Sequence, residues 1–199
     1  TAAHVVRNRQ EQFRLTTPDG KNYPLVATNI KATSDADLAI VKFQSPTNYP
    51  IAKLGNVETA SEGSVVYVSG FPSATAAISE SIYNFTEGKV TANANRPLAG
   101  GYSLVYSNNT LPGMSGGPVF DSDGRVIGIH GKAEGDSDLI LGNSLGISIK
   151  TFVGLAAKLG VNERNLKIAT TDPNIFDGAK LASVNLIRNN IATPINESD

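Results

Sequence analysis

The sequence contains no cysteine and only two histidines among 199 residues. Without a thiol, disulfides, cysteine nucleophiles and cysteine-held metals are all excluded. Two histidines, His4 and His130, are too few to suggest a structural zinc centre, so no metal and no cofactor are expected. Charge is scarce and balanced, with 17 basic against 18 acidic side chains and a net charge of −1. That offers no electrostatic footing for nucleic acid or for an anionic membrane. No apolar run approaches the ~20 residues that cross a bilayer, and the opening residues show no leader pattern. There is no internal repeat. What remains is an ordinary globular balance, 40% apolar and 18% charged. The length suits one good-sized domain or two small barrels sharing an interface.

Read along its length, the chain is β-rich. Gln12–Thr16 alternates, and the turn Pro18-Asp19-Gly20 leads into Tyr23–Ile30. Leu38–Phe43 is a short apolar strand expected to be buried on both faces. The stretch Thr47–Gly63 carries Pro50, Gly55 and Gly63 and looks like the boundary between two halves. Beyond it, Ser64–Ser69, Ile82–Ala92, Tyr102–Ser107, Pro118–Phe120, Arg125–His130 and Leu145–Ile149 are strand candidates separated by turn residues. Many short strands with glycine-rich turns indicate a sandwich or a pair of barrels. One helix is clear, Lys150–Leu159, with Phe152, Leu155, Ala156 and Leu159 on one stripe and Gly160 as its stop. Asp177–Arg188 is a candidate second helix, and the end from Thr193 is expected to fray.

The chemistry concentrates at Leu111–Phe120, which reads LPGMSGGPVF. Gly113-Met114-Ser115-Gly116-Gly117 fits G-x-S-x-G, the nucleophile elbow of α/β-hydrolases, and it also fits G-x-S-G-G-P. A plain glycine-rich turn is the bland alternative. An elbow serine is followed at once by a helix, yet here two glycines and a proline follow, then the turn Asp121–Gly124 and another strand candidate. That hydrolase order also needs an acid and then a histidine after the serine. The one later histidine, His130, stands a single strand away. The α/β-hydrolase reading fails.

The segments Thr1-Ala2-Ala3-His4, Asp37-Leu38-Ala39-Ile40 and Gly113–Pro118 stand in the order His, Asp, Ser. Together they resemble the three catalytic motifs of the trypsin-like, chymotrypsin-fold serine peptidases, over residues 1 to about 160. The resemblance implies a triad of His4, Asp37 and Ser115. A serine hydroxyl needs a base to take its proton, and a near-neutral imidazole can also return it to the leaving amine. An acid behind the imidazole fixes its tautomer and stabilises the imidazolium. Asp35 is a nearby competitor for that role, although Asp37 abuts the strand that would position it. Gly113 and Ser115 would supply the oxyanion-binding backbone N–H groups, one such donor being worth ~2.7–4 kcal/mol.

Specificity can be read from the same alignment of motifs. Thr110 stands five residues before Ser115 and His130 fifteen after it, as in the glutamyl endopeptidase branch of that family. The resemblance implies that both line the primary pocket, where a hydroxyl and a protonated or hydrogen-donating imidazole receive a carboxylate. Asn109 stands where peptidases that prefer basic residues keep an acid. Lys132 either reinforces an acidic preference or is simply solvated. Two departures qualify the match. The family has further strands before its histidine, so the first barrel is expected to be short of strands with an open edge, awaiting a partner segment. Met114 occupies the place where trypsin-type zymogens keep an aspartate.

The expectation is therefore an all-β chain of two antiparallel six-stranded-type barrels, the first incomplete, with a C-terminal helix. Residues 1–57 would form the first barrel, 58–149 the second, 150–160 the helix and 161–199 an extension. The function implied is a serine endopeptidase acting on polypeptides, preferring Glu or Asp before the scissile bond, in the periplasm or secreted. From a different class, an impaired peptidase fold could capture extended peptides by β-addition along the strand ending His130-Gly131-Lys132 without cleaving them.

Overall fold

A computed structural model describes residues 1–8, 12–56, 60–74, 79–136, 139–162, 166 and 185–189. The described residues are mostly strand, with one α-helix. In the first half, β1 (Gln12–Thr16) turns Phe13 and Leu15 inward and leaves Gln12 exposed, the period-two signature of a half-buried strand. A tight turn closed by Thr17 N–H donating to the Lys21 carbonyl leads to β2 (Asn22–Leu25). The strand expected through Ile30 is interrupted there: a 3₁₀ turn at Ala27–Asn29 separates β2 from β3 (Ile30–Ala32). β3 pairs with β4 (Ala39–Val41). Expected as fully buried, β4 is only partly so, because Ile40 and Val41 lie at the margin of the core. Phe13, Leu15, Leu25 and Ala39 pack with Ala3 and Val6 into the core of this half.

The second half is a closed barrel. Its strands are β5 (Val65–Gly70), β6 (Asn84–Asn93), β7 (Leu104–Tyr106), β8 (Pro118–Phe120), β9 (Val126–Asp136) and β10 (Leu139–Ser148). They close in the order β10-β7-β6-β5-β8-β9, so this half has no free sheet edge. Val66, Val68, Val90, Leu104, Tyr106, Val119 and Ile127 fill its interior. β9 and β10 are longer than their apolar stretches suggest and pair from Gly128↔Ser148 out to Asp136↔Leu139. The glycine-rich polar stretch after His130 hides this extension from a hydropathy reading.

The helix α1 (Ile149–Leu155) is capped by Ser148, whose hydroxyl accepts from Lys150 N–H at 3.1 Å. It ends four residues before the expected last residue, Leu159, and looser turns carry the chain to Gly160. Gly154 within its last turn weakens helix continuation by ~1 kcal/mol relative to alanine. The candidate helix Asp177–Arg188 is not observed: residues 177–184 lie outside the described residues, and β11 (Asn185–Asn189) covers the rest as a strand. The frayed end expected from Thr193 also lies outside them.

β11 corrects a second expectation. It runs antiparallel to β1, from Gln12↔Asn189 to Thr16↔Asn185, giving the three-stranded order β11-β1-β2. The edge expected to be open is covered by the chain's own downstream segment, which satisfies backbone groups that would otherwise invite another strand. The first half thus consists of one three-stranded and one two-stranded sheet beside a complete six-stranded barrel.

Candidate active site

His4 lies in a 3₁₀ turn, Ala3–Val6, in a segment stitched to the bend before β4 that carries the candidate acid. Ala39 N–H donates to the Thr1 carbonyl at 2.9 Å, and Ala3 N–H donates to the Asp37 carbonyl at 3.0 Å. These backbone bonds bring side chains 33 residues apart into register: His4 Nδ1 and Asp37 Oδ2 are 2.6 Å apart. The His4 backbone N–H also donates to Asp37 Oδ1, at 2.8 Å. From the other half, Asp37 N–H donates to the Gly100 carbonyl at 2.7 Å, and Tyr102 Oη donates to Asp37 Oδ2 at 2.5 Å. Burial pushes the Asp37 carboxyl upward, but the donors from His4 and Tyr102 outweigh it and hold the group at about 2. Asp37 is therefore an anion at any pH where an imidazole acts as base. The competitor Asp35 is turned away: its Oδ2 lies 2.6 Å from Lys158 Nζ at an exposed ion pair.

The loop carrying Ser115 is shaped by its glycines. Gly113 has φ 98°; a Cβ there would stand 2.9 Å from the Phe71 carbonyl and the Ser73 hydroxyl. Gly116, at φ 87°, lies against Thr1 and Ala2, so no side chain fits between the serine loop and the segment leading to His4. Gly116 N–H donates to the His130 carbonyl at 2.7 Å, and His130 N–H returns a bond to the Gly117 carbonyl at 2.8 Å. Met114, the departure from the zymogen pattern, is buried in the barrel core and serves as the loop's anchor. Met114, Gly116 and Gly117 all donate their backbone N–H to acceptors within the fold. Among the described residues, the N–H groups of Gly113 and Ser115 do not.

Beyond the serine, His130 is 2% exposed, and its Nδ1 lies 2.6 Å from Tyr106 Oη. Burial first, and then the charge of His4, push the His130 imidazole down to about 4. Burial also lifts the Tyr106 phenol well above its ordinary range. The phenol therefore keeps its proton, and it donates to or accepts from Nδ1 according to the tautomer of the ring. Of the two forms expected for His130, burial favours the neutral one. Thr110 Oγ1 is 2.8 Å from Ser144 Oγ, which donates to the Asn108 carbonyl at 3.1 Å. Asn109 is exposed, and Lys132 Nζ sits 5.2 Å from the Tyr102 ring centroid. Tyr102, Tyr106 and Ser144 have no motif to announce them; only the barrel closure brings them to these partners.

The His130 environment has a consequence for stability. Between pH 4 and 6.5 the unfolded chain binds a proton at His130 that the folded chain does not, so folding weakens as pH falls through that window. The loss should reach on the order of 3 kcal/mol at pH 4. Urea unfolding of the wild type and of His130→Asn at both pH values measures it, and an equal pH dependence in the two proteins contradicts a buried neutral His130.

Residues 1–129 match the model of the trypsin-like peptidase domain, about two thirds of the sequence. The chain belongs to the trypsin-like peptidase family. Within that family it is 30% identical over 162 residues to a probable periplasmic DegP-like serine endoprotease of Halomonas elongata. That match covers 80% of this chain and 32% of the relative. It is also 30% identical over 140 residues to serine protease HTRA1 of Xenopus tropicalis, covering 65% of this chain and 28% of that protein. The chain thus spans about a third or less of the length of these curated relatives. In fold it resembles the solved HtrA-type protease AlgW with decapeptide, with a TM-score of 0.67 at 23% identity. That likeness extends over 80% of this chain and 47% of the solved one.

Proposed function

We propose that the chain is the catalytic part of a serine endopeptidase, with Ser115 as nucleophile, His4 as base and Asp37 as orienting acid. The observation that carries this reading is the 2.6 Å contact of His4 Nδ1 with an ionised Asp37, just after a segment, Thr1-Ala2, that lies against Gly116 of the serine loop. With Nδ1–H given to Asp37, Nε2 of His4 would carry the lone pair that a nucleophilic serine requires. Ser115 Oγ would attack the substrate carbonyl as its proton passes to His4, and the oxyanion would fall to the Gly113 and Ser115 N–H groups. His4 then protonates the departing amine, and water repeats the sequence to free the acyl group. We read residues 1–57 and 58–149 as the two barrels, 150–160 as the helix, and 161–199 as an extension whose strand serves the first barrel. The name of the Halomonas elongata relative supports a periplasmic location, and the peptide-bearing AlgW structure supports a polypeptide substrate.

For the residue before the scissile bond we propose a preference for Glu, then Asp. In its Nε2–H tautomer His130 would be a neutral donor, and the Thr110 hydroxyl can turn its proton from Ser144 to an incoming carboxylate. Such a pocket binds the anion by hydrogen bonds from neutral groups, so the preference should stay level from about pH 5.5 to 8, above the His130 titration. Replacing His130 by Ala should lower kcat/KM for Glu relative to Ala substrates by about 100-fold, since the carboxylate is left poorly paired. The ratio cancels any loss of folded protein. Profiling on a mixed peptide library tests the assignment, and a preference for Arg, Lys, Val or Ala removes the acidic pocket while leaving the triad intact.

A further inference from the structure

Asp37 Oδ2 has two donors, His4 Nδ1 and the Tyr102 phenol, at 2.6 and 2.5 Å. Tyr102 lies 65 residues beyond Asp37 and just past the Ala99–Gly101 turn whose Gly100 carbonyl accepts from Asp37 N–H. The side chain is clamped, being only 5% exposed and packed with Ala36, Leu38, Leu145, Ile147 and Leu159. Its place exists because residue 131 has no side chain: a Cβ on Gly131 would stand 2.5 Å from Tyr102 Oη and 2.7 Å from Cζ. Gly100 leaves room on another side, where a Cβ would stand 3.0 Å from the ring. On β9, next to Gly131, Lys132 Nζ lies near the ring at 5.2 Å from its centroid. A ring held on so many sides has one polar atom, and that atom is aimed at the oxygen that holds the candidate base.

We propose that Tyr102 is a positioning residue for Asp37, fixing Oδ2 in line with His4 Nδ1, and that Gly131 is the residue that makes room for it. A carboxylate oxygen with one donor can swing about its Cβ–Cγ bond; one with two donors at fixed angles cannot. Together with the His4 backbone N–H on Oδ1, the phenol completes a three-donor cradle. Burial, and then the neighbouring Asp37, raise the phenol far above its usual range, so it remains a donor throughout the working pH. The effect on turnover rests on the peptidase reading above; the effect on Asp37 does not.

Tyr102→Phe keeps the ring and removes the one polar atom. A hydrogen bond to a charged group typically supports ~10- to 100-fold in an equilibrium, so kcat should fall by about that range with KM nearly unchanged. The acid-side midpoint of the kcat/KM profile should move to higher pH, because the ionised Asp37 loses a donor. Carbon-13 titration of the Asp37 carboxyl reads the same displacement without any turnover, upward in the variant relative to wild type. Gly131→Ala, which expels the ring while retaining the phenol, should reproduce both shifts. If Tyr102→Phe lowers only the melting temperature and leaves the Asp37 titration and pH profile in place, the ring is mere packing and the proposal falls. If the wild type neither turns over peptides nor labels at Ser115, the peptidase reading fails, and the Asp37 titration still decides the role of Tyr102.

Discussion

Replacing Ser115 or His4 by alanine should remove nearly all turnover, a loss of order 10⁶ in kcat for either. The physical ground is that neither group does anything alone. The serine hydroxyl holds its proton unless an imidazole lone pair receives it, and the lone pair has no task without a proton to take. Replacing both should therefore cost little more than replacing one. A double-mutant cycle on purified, folded variants measures this, with initial rates on a peptide cleaved by the wild type. Losses that add independently contradict the unit and point to a different nucleophile. The residual activity should come from substrate binding and the Gly113 and Ser115 N–H groups, which neither replacement removes.

Asp37→Asn should cost about 10⁴-fold in kcat with folding preserved, because the amide reverses the tautomer preference of His4. At 2.6 Å, Asp37 Oδ2 can accept a hydrogen bond from Nδ1–H, which favours the tautomer with its lone pair on Nε2. An asparagine that turns its NH₂ toward Nδ1 forces the proton onto Nε2, where it blocks the base. The same replacement at Asp35 should leave kcat within about threefold, since only an exposed ion pair with Lys158 is lost. Steady-state kinetics of the two variants compare the two acids directly. A greater loss at Asp35 contradicts the assignment.

The candidate triad was legible because each member sits in a short segment with its own flanks: the alanines before His4, the apolar strand after Asp37, the glycines around Ser115. Local chemistry also told a strand-flanked serine from an elbow serine, since two glycines and a proline within the first turn and a half make a poor helix. What stayed hidden depends on distant parts of the chain. Tyr102 reaches Asp37 only because the Gly100–Gly101 turn abuts Ala36, and because Gly131 is bare. His130 could be named as a pocket candidate by its offset from Ser115, but its neutral state follows from burial and from the charge of His4, and its Tyr106 partner is brought to it only by barrel closure. Asn185–Asn189 contains just two adjacent apolar residues, Leu186 and Ile187, too short a run to separate strand from helix. Its conformation is decided by β1, whose unpaired backbone edge it takes up. The β9–β10 extension escaped notice for a similar reason: cross-strand hydrogen bonds, rather than hydropathy, hold its polar, glycine-rich end.

Labelling with a fluorophosphonate bears most directly on whether this site is a working nucleophile. The reagent bonds to a serine oxygen only where a base takes the hydroxyl proton and an oxyanion site receives the phosphoryl oxygen, so it reports the assembled machinery without requiring the natural substrate. Intact-mass and peptide analysis of the wild-type chain should show a single adduct on Ser115, abolished in Ser115→Ala and in His4→Ala. A folded wild-type chain that remains unlabelled, or that labels at another residue, contradicts the account; an unlabelled chain that still captures extended peptides would be a binding module on a peptidase fold.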